Sequence, residues 1–228
     1  MTIDINPHKK ILQTTIQTTI LYINEMNTSQ ETAQRQADQI SQSLSNTFQS
    51  FFCQCVYNPA NTYHKTKDLS INAGVIVLNM ASITSDRVFV ITHGDGVKHA
   101  AKIFEKMNSY LDKNHPIRKK ISLMTFGTTS LLLKQIAQID SIQNFIFEKD
   151  RISTIALNIN PKDKSNQNII WLNDPKKIPK KKLSSSANPW DKVARNIEYG
   201  LVNLQKRHQF ESYLPHITQE LSTLMNWS

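Results

Sequence analysis

The chain has 228 residues and a formal net charge of +9, enough length for one sizeable α/β core and a balance that suits an acidic partner wherever the charge is concentrated. No uninterrupted apolar run approaches the roughly 20 residues needed to span a bilayer, and the opening stretch MTIDINPHKK lacks the charged-then-apolar layout of a secretory signal. The two cysteines, Cys53 and Cys55, fall on one stretch of strand pattern, are expected on opposite sides of it, and fit reduced, buried thiols.

Residues 11–23, ILQTTIQTTILYI, are rich in Ile and Thr and predict one or two early strands, the second over 19–23. Thr28 with Glu31 forms a capping box, after which Ala33, Ala37, Ile40, Leu44 and Phe48 keep a helical stripe. Residues 51–57, FFCQCVY, predict a strand that Asn58-Pro59 ends. That β-α-β order implies parallel strands and a right-handed crossover. Residues 74–83, GVIVLNMASI, fit a short helix or a strand, and a helix is preferred.

Residues 87–111, RVFVITHGDGVKHAAKIFEKMNSYL, read as strand, sharp turn and amphipathic helix, with Val97, Ala100, Ala101, Phe104, Met107 and Leu111 on one face. Further strands are expected at 120–126, 144–148 and 169–172, and helices at 190–205 and 215–227. Strands alternating with helices indicate a doubly wound, mostly parallel sheet with helices on both faces, taken as a single α/β domain over residues 1–228. Within it, residues 173–190 read as a basic loop containing Pro and Ser. There Lys176, Lys177, Lys180, Lys181 and Lys182 stand together without an acidic residue among them, as a solvated loop or a contact for an anionic partner or lipid surface.

The turn Thr92-His93-Gly94-Asp95-Gly96 lies where a nucleophile elbow of the G-x-S-x-G type would lie, with Gly94 in the serine's place. Set in chain order, this turn, an Asp just past a later strand and a His before the final helix resemble the α/β-hydrolase fold. The resemblance assigns Gly94 to the nucleophile position, Asp150 to the acid and His208 to the histidine. It also makes residues 21–28, LYINEMNT, the strand and loop that lend an oxyanion-hole amide. Asn24 and Asp95 are thereby expected as oxyanion-like or ligand contacts. More narrowly, YIN-x-MNTS-x-E-x-A, then CVYNP, then HGDG, looks like a degenerate member of the uncharacterised hydrolase-like proteins of obligate intracellular bacteria.

That resemblance implies a protein without a serine nucleophile, a non-catalytic binding protein or a bacterial effector, cytoplasmic or secreted into a host without a classical signal peptide. Glycine relieves the strain of a positive-φ elbow and removes the attacking oxygen. Thr92, β-branched where a small residue is needed, is expected to crowd and open the bend. Simpler readings stand beside these: Gly94 and Gly96 as a tight connection, Asp150 as a cap, His208 as a surface side chain. One alternative is an active esterase-type hydrolase with an unconventional nucleophile, for which Ser122, Thr128, Thr129 and Ser130 are the nearby hydroxyls. The other is a metal site through H-x-D-x3-H, formed by His93, Asp95 and His99. No cofactor is expected.

Overall fold

The structure, a computed structural model, describes residues 18–48, 50–59, 64–131, 138–159, 169–173 and 208–226, with backbone only for 64–67. In chain order the elements are β1 (Thr18–Ile23), α1 (Gln30–Ser45), β2 (Phe51–Val56), α2 (His64–Thr84), β3 (Arg87–His93) and α3 (Gly96–Asn108). A short 3-10 turn (Pro116–Lys120) then leads into β4 (Ile121–Phe126), followed by β5 (Ser141–Phe147), α4 (Arg151–Ala156), β6 (Ile169–Leu172) and α5 (Phe210–Asn226). The basic loop with its five lysines, the expected helix at 190–205 and the first part of the early Ile/Thr run lie outside the described residues.

All six strands are parallel and lie in the order β2-β1-β3-β4-β5-β6. Strand side chains alternate between the two faces of the sheet. Leu21, Ile23, Val88, Val90, Ile121 and Leu123 pack with α2 and α3. Ile20, Tyr22, Phe89, Ile91, Phe126 and Phe145 pack on the other side with α1 and α5. Because both faces are covered, the strands read as continuous apolar runs rather than alternating ones. The order reverses direction between β1 and β3, and the carboxyl ends of strands flanking such a reversal open into a crevice.

Several expectations change in detail. The cap of α1 is Ser29, whose hydroxyl accepts from the Thr32 amide at 3.1 Å, one residue beyond the expected Thr28. The central apolar segment is indeed helical but α2 is far longer than residues 74–83. Its outer side leaves Leu69, Ile76, Met80 and Ile83 exposed, so apolar residues surround the helix and blur its periodicity. Cys53 and Cys55 share a face, as residues two apart on a strand must. Both pack against the α1 side of the core as free thiols, and burial pushes them up to about 12 and about 11. α5 begins at Phe210 and carries Pro215 inside it, where the sequence placed Pro215 at the start.

The approach of α3 to β1 depends on Gly96. A Cβ there would lie 2.7 Å from the carbonyl oxygens of both Ile23 and Asn24, which are backbone atoms and cannot swing aside. Gly96→Ala is therefore expected to lose about 1–3 kcal/mol of stability. Urea denaturation checks this, and an unchanged midpoint would contradict the close packing.

Candidate functional site

Four loops meet at the carboxyl edge of the sheet. β3 ends at His93 and α3 begins at Gly96, leaving a two-residue turn. Gly94 has φ +56°, the left-handed region, and its amide donates to the Phe126 carbonyl at 3.0 Å. The turn is thus closed, not opened by Thr92, which is wholly buried in β3. The Thr92 hydroxyl has no hydrogen-bond partner among the described residues.

Asp150 follows β5 and caps α4. Its carboxylate accepts from the Ser153 amide (3.1 Å), the Ser153 hydroxyl (2.9 Å), the Tyr213 hydroxyl (2.9 Å) and His208 Nδ1 (3.0 Å). Asp150 is therefore a helix cap whose second oxygen is bonded to His208. His208 precedes α5 and is buried, not a surface side chain. Its backbone carbonyl accepts from His93 Nε2 at 2.7 Å, and its ring stands 5.6 Å from that of His93. Asp150 and His208 are thus hydrogen-bonded to each other beside residues 93 and 94.

The residue that sequence reasoning missed is Glu25, in the loop after β1. A Cβ built on Gly94 would lie 2.7 Å from its Cδ and 2.8 Å from its Oε1. The carboxylate of Glu25 therefore fills the space a side chain at position 94 would enter. Oε1 lies 3.3 Å from His208 Nε2, and Oε2 lies 3.7 Å from His93 Nδ1. The available signal was the lone acidic side chain at a strand end facing two histidines, legible only once the loops are assembled.

Tyr213 and Ser153 were likewise unforeseen, because their role is to hold Asp150 and neither stands in a recognisable motif. Asn24 is wholly buried and ties two strand ends together: its Oδ1 accepts from the Asn58 amide (2.7 Å) and its Nδ2 donates to the Asn58 carbonyl (3.0 Å). It is a pin rather than an anion contact. Asp95 Oδ1 accepts from the Met26 amide at 2.7 Å. One amide of the 24–28 loop, from which an oxyanion-hole contact was expected, is therefore already engaged by Asp95.

The remaining candidates do not converge. His93 packs toward Phe210 and Tyr213 on the α5 side, whereas His99 Nε2 meets the Ser70 hydroxyl of α2 at 3.2 Å on the opposite side of the sheet. Asp95 turns to Met26, and among the described residues no group of three His, Cys, Asp or Glu could hold a metal ion. Ser122 lies near the start of β4, bonded to the Ser141 hydroxyl at 2.9 Å, and the Thr128 hydroxyl bonds the Ser130 carbonyl within its own loop at 2.5 Å.

The electrostatics follow from these contacts. Burial opposes a charge on His208, but hydrogen bonds to Asp150 and Glu25 outweigh it and raise its pKa to about 9. Burial pushes Glu25 and Asp150 up, yet the hydrogen bond from His208 and the nearby positive charge bring both below the ordinary carboxylate range. His93, fully enclosed, is lowered by burial and stays neutral. The cluster at neutral pH is one imidazolium held between two carboxylates.

No family model matches the chain, and no curated protein matches it either. Among the described residues no helix is long and apolar enough to cross a membrane.

A histidine raised from 6.5 to about 9 on folding contributes stability that is complete below pH 6.5 and lost as pH rises through 9. The shift corresponds to on the order of 3 kcal/mol. The lowered carboxylates add an acid limb: their stabilisation is present above their unfolded values of 4.5 and 3.8 and lost as pH falls further. Since both limbs describe the same contacts, they are not summed. Denaturant unfolding as a function of pH should thus show greatest stability between these limits and a decline from pH 6.5 to 9, with Glu25→Gln flattening the alkaline decline. A wild-type profile level across that range would contradict the charged cluster.

Proposed function

We propose that this is an α/β-hydrolase-like protein that has lost its serine nucleophile and works by binding rather than by turnover. Supporting this is the chain order of the turn at Gly94, Asp150 and His208, together with their adjacency at the carboxyl edge of a parallel sheet. The observation that carries it is Glu25: a carboxylate from a neighbouring loop occupies the place of a side chain at position 94.

Two consequences favour binding. His208 is paired through both ring nitrogens and carries a proton already, so it has no vacancy for one taken from a hydroxyl or a water. In the 24–28 loop, from which the resemblance draws an oxyanion-hole amide, the Met26 amide donates to Asp95 instead. The narrower resemblance to hydrolase-like proteins of intracellular bacteria extends the proposal to an effector role, exerted in the cytoplasm or after delivery into a host.

The rival is a hydrolase with an unconventional nucleophile. Assay of the wild-type protein with p-nitrophenyl acetate separates the two. Binding predicts no release of nitrophenol beyond that of His208→Ala. Saturable turnover that disappears in His208→Ala would overturn the proposal.

A further inference from the structure

We propose that Glu25 is an internal ligand of an anion site, and that the site's external ligand is a small molecule bearing a single carboxylate, which displaces Glu25 from His208. The inference rests on the binding reading above and names its ligand class.

The members of the cluster differ in how firmly they are held. Asp150 is fixed by four hydrogen bonds, and His93 by its bond to the His208 carbonyl. Glu25 is different: among the described residues its carboxylate makes a single hydrogen bond, to His208, and its side chain is 34 % exposed against 8 % for His208. It is the member that can swing into solvent while the rest stays in place. Departure would leave His208 Nε2, a buried donor, without a partner, and such a vacancy favours a replacement acceptor.

The vacated space selects the replacement. It is floored by Gly94, which offers no side chain, and the donor it presents is His208 Nε2; His93 only borders it, since its proton sits on the Nε2 that bonds the His208 carbonyl and its bare Nδ1 lies 3.7 Å from Glu25 Oε2. Charge limits the ligand further. His208 supplies one positive charge, Asp150 already balances part of it, and His93 is held neutral by burial. A monoanion replaces the charge of Glu25 one for one and a dianion such as sulfate does not. In the wild-type protein the tethered Glu25 competes at high effective concentration, so an outside carboxylate binds only as well as it can exceed that tether.

The test uses the full chain with Glu25→Ala, titrated with sodium acetate and followed by the His208 ring signals in NMR and by the thermal midpoint. Acetate should shift the His208 signals saturably toward their wild-type positions and raise the midpoint. Methyl acetate should do neither, and the wild type should need at least tenfold more acetate for a comparable response. Indifference of folded Glu25→Ala to acetate would overturn the proposal, as would an equal shift of the His208 signals by inorganic sulfate. Should Glu25→Ala fail to fold, the wild type at high acetate decides. Acetate-specific shifts of the Glu25 and His208 amides support displacement, and unchanged amides refute it. Ester turnover by the wild type would refute the binding reading instead, by a separate assay.

Discussion

The side chain of His208 is buried and positively charged, a combination that is stable only because carboxylates stand on both of its nitrogens. Desolvation alone would neutralise it. Asp150 and Glu25 reverse that outcome, and each is itself kept ionised by the imidazolium between them. The loops after β1 and β5 and the segment before α5 supply these three groups, so one ion cluster ties together parts of the chain that are 183 residues apart at the extremes.

The sheet makes this meeting possible. Parallel strands send all their carboxyl ends to one edge, and the reversal of order between β1 and β3 separates the loops enough for side chains to enter. Two glycines then set the local geometry. Gly96 lets α3 approach the end of β1, and Gly94 adopts a left-handed turn while leaving room for Glu25. A side chain at position 94 would require the Glu25 carboxylate to move aside. Occupation of that space by Glu25 is thus tied to the absence of a side chain at position 94.

Much of the architecture was legible in the chain. Strand-turn-helix at 87–111 and the parallel β-α-β start followed from apolar periodicity and glycine punctuation, whereas Asp150 and His208 were singled out only through the chain order of the resemblance. Those signals are local, and both ends of each element carry turn residues. The length of α2 was hidden because Leu69, Ile76, Met80 and Ile83 make its outer side apolar, erasing the contrast between faces. Pro215 misplaced the start of α5, since proline favours a first helical position but here sits inside the helix. Glu25 was invisible for a different reason. Its role depends on the positions of His208 and Gly94, far away in sequence, and no spacing rule links them. The three residues of H-x-D-x3-H show the converse: adjacent in sequence, they point to different neighbours once the turn and helix form.

The charge on His208 is the most direct point of contact between this account and experiment. Long-range nitrogen-proton NMR of the imidazole distinguishes a ring protonated at both nitrogens from a neutral tautomer. At pH 7 the account predicts that both nitrogens of His208 carry protons. A neutral ring at that pH would contradict the clamp of Asp150 and Glu25, and with it the central claim about the site.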